Sequence, residues 1–117
     1  MNEIELQNRI RLAISVPSTR MFRNNVGCIE GKDGRRVTFG LCKGSSDLIG
    51  FKAVTITPDM VGQSIAVFTA IEVKTPTGRI SPEQKRFTEM VNSFGGIGAI
   101  VRSVDEAVSV FDGYQIR

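Results

Sequence analysis

The succession of hydrophobic patterns predicts an α/β domain, a mixed central β-sheet flanked by α-helices. Three observations point there. Residues 3–15 place apolar side chains at helical spacing. Residues 64–74 form the densest apolar run in the chain. Residues 81–94 open on Ser81-Pro82-Glu83-Gln84 and then set Phe87, Met90, Val91 and Phe94 at i, i+3, i+4 and i+7. At 117 residues the chain has room for a modest core and is short for two domains, so one domain over residues 1–117 is expected.

The elements follow in order. On a helical wheel started at Glu3, Gln7 lies near about 40°, Ile10 near about −20° and Ile14 near about 20°, so Glu3 and Gln7 share the apolar stripe while Glu5 faces away. Pro17 closes this first helix. Residues 21–29 lead to a turn at Gly31-Lys32-Asp33-Gly34, and Arg36 to Leu41 form the return strand. Gly44-Ser45-Ser46 is a small loop before a predicted strand over residues 47–57, and residues 58–63 turn. The run 64–74, with Ile65, Val67, Phe68, Ile71 and Val73, has the density of a central strand covered on both faces. In the next helix Ser81 caps, Pro82 suits the first position, Gln84 completes a capping box and Gly95-Gly96 stops it. Residues 97–102 read as a short strand. Ser103 and Glu106 read as a second capping box opening a helix to about Phe111, and residues 112–117 carry no signal.

Composition narrows the chemistry. Hydrophobic residues are 41% and charged residues 23%, ordinary for a globular chain and incompatible with wholesale disorder. There is no His, which removes Ser/His and Cys/His catalysis and imidazole metal sites. No apolar run reaches the roughly 20 residues of a membrane span, and the N-terminus alternates charged and apolar residues unlike a signal peptide. Cys28 and Cys42 therefore read as reduced small hydrophobes of a cytoplasmic protein. The formal charge is +3, and the excess falls between Arg20 and Lys52. That asymmetry is compatible with a nucleic-acid surface and equally with a solvated face.

Four groups of residues could carry chemistry. Glu72 and Lys74, two apart on a strand, project to the same side. The ammonium could pair with the carboxylate, steady a developing anion or orient a water, although taken alone the tripeptide is better explained by a plain Glu–Lys pair at a strand end. Asp47 follows three small residues at the mouth of an apolar strand. With Glu72 it could hold a hard cation such as Mg2+ or Mn2+, and alone it could simply cap a turn. Glu3 and Gln7 lie on the buried-side face of the first helix, where polar groups need a reason, and solvent exposure near a helix start explains them equally well. Gln84 and Lys85 open a helix whose N-terminus suits phosphate, and capping already accounts for Gln84.

In combination and spacing, these pieces resemble the VRR-NUC family of small nuclease domains within the PD-(D/E)XK superfamily. The matching pieces are Glu3-Ile4-Glu5-Leu6-Gln7, Arg23-Asn24-Asn25-Val26-Gly27, Phe39-Gly40-Leu41, Gly44-Ser45-Ser46-Asp47-Leu48-Ile49-Gly50, Ile71-Glu72-Val73-Lys74, Gly78-Arg79-Ile80-Ser81-Pro82-Glu83-Gln84 and Gly95-Gly96. They run from Glu3 to about Val108. The resemblance implies a restriction-endonuclease-like core and a Mg2+- or Mn2+-dependent, structure-specific DNA endonuclease. Its substrate would be branched DNA such as four-way (Holliday) junctions. Asp47, Glu72 and the Val73 carbonyl would hold the metal, Lys74 would position or activate the attacking water, Glu3 would be the helix acid, and Gln84 would stand beside the site. Arg23, Asn24, Lys43, Ser45 and Arg79 would meet DNA phosphates.

Two departures stand out. The family is named for a Val-Arg-Arg run, and here the sequence reads Val101-Arg102-Ser103, which puts any role of the second Arg in doubt. Ser46 precedes Asp47 where the superfamily label has Pro. Cutting a symmetric junction takes two active sites, so a two-fold homodimer is expected. So compact a free-standing domain would suit a phage or a bacterium. The alternatives are a catalytically silent DNA-binding module or accessory subunit, and a small structural protein with an incidental Glu–Lys pair.

Overall fold

A computed structural model describes residues 2–114. The chain forms two compact units, Met1–Lys52 and Ala53–Arg117. With three α-helices and six strands among the described residues, the class is mixed α/β, as the hydrophobic patterns predict.

The first unit opens with α1, Glu3–Ala13. Its start is fixed by Asn2, whose Oδ1 accepts from the Glu5 amide at 2.8 Å while the Glu5 carboxylate accepts from the Asn2 amide at 3.1 Å. These two bonds satisfy donors that a helix start otherwise leaves open. The helix stops two residues short of the expected end, ahead of Pro17. No α1 residue is buried: Gln7 is half-buried and Glu3 exposed, so the expected burial of the Glu3 side of the stripe is not found.

Strands β1 (Thr19–Arg23) and β4 (Leu48–Lys52) pair antiparallel, with Thr19 opposite Lys52 and Arg23 opposite Leu48. Strands β2 (Gly27–Glu30) and β3 (Arg36–Phe39) form the hairpin expected around Asp33-Gly34. Gly34 takes φ +77°, a left-handed turn position that costs other residues energy, and Asp33 Oδ1 accepts from the Arg35 amide at 3.0 Å to close the turn. The strand predicted over 47–57 ends at Lys52. Residues 53–57 pair with no strand, and a short 3-10 turn, Pro58–Met60, follows.

The second unit is a βαβ arrangement. Strands β5 (Thr69–Val73) and β6 (Ile97–Val101) run parallel, in register from Thr69–Ile97 to Val73–Val101. Parallel neighbours need a crossover, and α2 (Pro82–Ser93) supplies it. Its face packs on β6 through Val91, 1% exposed, and Ile97 at 8% and Val101 at 4% are the other buried apolar residues. Gly98 permits the close approach: a Cβ there would stand 2.7 Å from the Thr88 carbonyl oxygen. Asn92 takes the main-chain groups of Gly98 that point away from β5, donating to its carbonyl at 3.0 Å and accepting from its amide at 2.8 Å.

Helix α3 (Val104–Asp112) also packs on β6 and is capped by Ser103, whose Oγ accepts from the Glu106 amide at 3.1 Å. The predicted capping box is only half made, because the Glu106 carboxylate accepts from the Arg102 amide instead of that of Ser103.

The strands hydrogen-bond two by two, as β1–β4, β2–β3 and β5–β6. One expectation about the strands is corrected. The apolar run 64–74 yields a strand only at 69–73, and it is not covered on both faces, since Val73 is 73% exposed. Apolar density reports burial propensity, whereas strand length depends on an available partner edge, and β6 offers five residues.

Candidate active site

The second unit assembles three of the expected residues. Glu72 is the fourth residue of β5, and Lys74 follows its end, where the Lys74 amide donates to the Val101 carbonyl at 2.9 Å and carries the ladder one residue further. Period-two alternation puts both side chains on one side, and Lys74 Nζ stands 3.6 Å from Glu72 Oε1. The lysine side chain is 19% exposed and the glutamate 37%, so the pair is partly sheltered from water.

Gln84 joins them from the first turn of α2. Its Oε1 accepts from the Ser81 amide at 3.0 Å, while its own amide donates to Ser81 Oγ at 3.1 Å, completing the predicted capping box. Its Nε2 donates to Glu72 Oε1 at 2.9 Å. One carboxamide therefore closes the helix start with its oxygen and grips the strand acid with its nitrogen. Glu72 Oε1 is thus held twice, and Oε2 has no hydrogen-bond or ion-pair partner among the described residues.

Arg102 secures the loop after Lys74. Its Nη1 donates to the carbonyls of Thr75, Pro76 and Gly78 at 2.6, 3.2 and 2.9 Å. Sequence reasoning gave Arg102 no role, since pairing across 24–27 residues leaves no local pattern. Ser103, standing where the family run has its second Arg, caps α3.

In the first unit, Asp47 lies at a bend just before β4 and is exposed. Its carbonyl accepts from the Asn24 amide at 2.8 Å, and its carboxylate has no partner among the described residues. The Asn24 side chain reaches across the loop, donating to Ser45 Oγ at 2.7 Å and the Ser46 carbonyl at 2.9 Å and accepting from the Leu41 amide at 3.1 Å. Ser45 Oγ in turn donates to the Cys42 carbonyl at 2.6 Å. Arg23 and Lys43 of this unit are exposed, as is Arg79 of the second.

Whether these residues suit a divalent cation is a question of donor chemistry. Glu72 and the Val73 carbonyl in the second unit, and Asp47 in the first, each offer oxygen alone, the donor type that suits Mg2+ or Mn2+. The uncommitted oxygen of Glu72 fits such a role. Among the described residues no group of three or more His, Cys, Asp or Glu side chains is gathered, so protein ligands would be few and water would fill the rest.

Comparison with known proteins gives one result. The family model described as the VRR-NUC domain matches residues 4–105. No match was found among curated proteins or solved structures.

Proposed function

The chain belongs to the VRR-NUC family, hence is a nuclease-type domain, and from that premise we propose that it is a metal-dependent, structure-specific DNA endonuclease acting on branched DNA. The observation that carries the reading is the Glu72–Lys74–Gln84 constellation. A strand carboxylate has one oxygen fixed by an amide and an ammonium and the other uncommitted. Such an acid can take a cation without first breaking an arginine pair.

Asp47, Glu72 and the Val73 carbonyl would hold Mg2+ or Mn2+, which when bound would polarise the phosphoryl oxygen and acidify a water. Lys74 is the chain's own contribution to the reacting centre. Its ammonium, fixed beside Glu72, orients the attacking water and offsets negative charge that grows on the phosphoryl group. Gln84 holds Glu72 in place. Glu3, from the start of α1, would be the helix acid, reaching the ion through water or directly. Arg23, Lys43 and Arg79 grip phosphates, an interaction blind to sequence and weakened by salt. Two copies related by a two-fold axis would cut a symmetric junction on both strands.

The test is cleavage of labelled four-way junction, flap, fork, single strand and duplex with Mg2+ or Mn2+, for the unaltered protein, Asp47→Ala and Lys74→Ala. The proposal expects branched DNA to be cut best, by the unaltered protein only, and only with metal. Equal cutting by all three proteins overturns the site, and binding without cutting would mark a silent DNA-binding module. Light scattering checks the dimer, which a monomer at working concentration would rule out.

A further inference from the structure

Asn24 has no hydrogen left on its side-chain amide to offer a phosphate. Both go to the loop, one to Ser45 Oγ and one to the Ser46 carbonyl, and its oxygen is taken by the Leu41 amide. Its main-chain N–H is spent on the Asp47 carbonyl. Asn24 therefore touches the segment 41–47 at four points, at its beginning and through its last three residues. That segment holds three small residues, Gly44, Ser45 and Ser46, and ends on the acid. Ser45 passes the tie on, because its hydroxyl donates back to Cys42 and folds the loop upon itself. Asn24 is half-buried and follows the last residue of β1, the strand that pairs with β4, so its anchor is as fixed as the ladder itself.

We infer that Asn24 is a positioning residue, which locks the 41–47 loop so that the Asp47 carboxylate is presented in one orientation to a divalent cation. This rests on the proposed metal site and goes beyond it, assigning to Asn24 an indirect role in place of a phosphate contact. A carboxamide suits that role, because it supplies two donors and an acceptor in one plane and adds no charge beside the acid. Residues that orient a ligand without touching the metal are worth about 10–100-fold in metal affinity or activity.

The experiment uses the whole chain and reads Mn2+ binding by calorimetry and by electron paramagnetic resonance, without needing turnover. Unaltered protein is compared with Asn24→Ala, Ser45→Ala and Asp47→Ala. Val91→Ala, in the core of the other unit, shows what loss of stability alone does. Asn24→Ala is expected to weaken Mn2+ binding about tenfold, Ser45→Ala to weaken it less, and Val91→Ala to lower the melting temperature with affinity kept. Metal-free affinity of Asn24→Ala for DNA should match the unaltered protein, because no phosphate contact is lost. Weaker metal-free binding of Asn24→Ala to DNA, or Mn2+ affinity unmoved in Asn24→Ala while Asp47→Ala abolishes it, overturns the inference alone. Should Asp47→Ala leave Mn2+ binding intact, the metal site and the inference fall together. If the affinities follow the expected order and no DNA is cut, the positioning role stands and hydrolysis is the part refuted.

Discussion

Substituting Gln84 by Glu separates the two roles of one side chain. Glutamate serves a capping box as well as glutamine, so its carboxylate can still accept from the Ser81 amide, where Gln84 Oε1 now lies 3.0 Å away. It has no hydrogen to donate to Glu72 Oε1, 2.9 Å from the present amide nitrogen. The lost bond to a charged acceptor would be about 1.5–3 kcal/mol in a dry site, and the 37% exposure of Glu72 reduces it to about 1 kcal/mol. The new charge adds repulsion. At about 4 Å, two like charges cost about 4 kcal/mol at an effective dielectric of 20 and about 1 kcal/mol in bulk water. Lys74, 3.6 Å from Glu72, screens part of this, so about 1–2 kcal/mol is the reasonable figure.

Together these make Gln84→Glu about 2–3 kcal/mol less stable, a fall in melting temperature of about 8–15 °C. Gln84→Ala loses half the capping box and the same bond without gaining a charge, so it should fall less, by about 1.5–2 kcal/mol. Calorimetric melting of the three proteins at neutral pH provides the comparison. If Gln84→Glu melts with the unaltered protein, or above Gln84→Ala, then Gln84 does not hold Glu72 and serves the helix start alone.

Three further outcomes follow from the geometry. Lys74→Met removes the ammonium and keeps the stem, so DNA binding should persist while cleavage falls by about 10²–10³, read in single-turnover kinetics against equilibrium binding. Arg102→Ala removes the one nitrogen that gathers three carbonyls, so it should lose about 1–2 kcal/mol and open the 75–78 loop to limited proteolysis. Gly98→Ala drives a methyl to within 2.7 Å of the Thr88 carbonyl oxygen and should cost about 1–3 kcal/mol in urea denaturation, as α2 is pushed from β6.

How far the sequence could be read depended on the range of the interaction concerned. The helix start at Ser81-Pro82-Glu83-Gln84 and the turn at Asp33-Gly34 were legible because their bonds close within a few residues, and the structure makes them as expected. Asn2 and Glu5 form a capping box by the same local rule, a signal present in the sequence but passed over. Glu72 and Lys74 could be placed together because strand alternation is also local. The long apolar run 64–74 misled, since strand length is set by the partner edge and not by composition. The clamps from Asn24 and Arg102 were illegible for the same reason. Each ties residues some 17–27 apart, and nothing in either neighbourhood announces the other end.

The two acids Asp47 and Glu72 are treated alike, each within its own unit, and the likeness has a physical sense. Each is steadied by a carboxamide: Glu72 by Gln84 at its carboxylate, Asp47 by Asn24 through its own carbonyl and the loop before it. An arginine in either place would hold the acid more firmly, with a bidentate charged bond, and would also cancel the charge that draws a cation. A neutral donor gives up some of that firmness and leaves the negative charge nearly whole. Lys74 is the only cation paired with Glu72 among the described residues, at 3.6 Å and on the oxygen that Gln84 already occupies. The charge of Glu72 is therefore least compensated at Oε2, the position where an incoming metal ion would be bound most strongly.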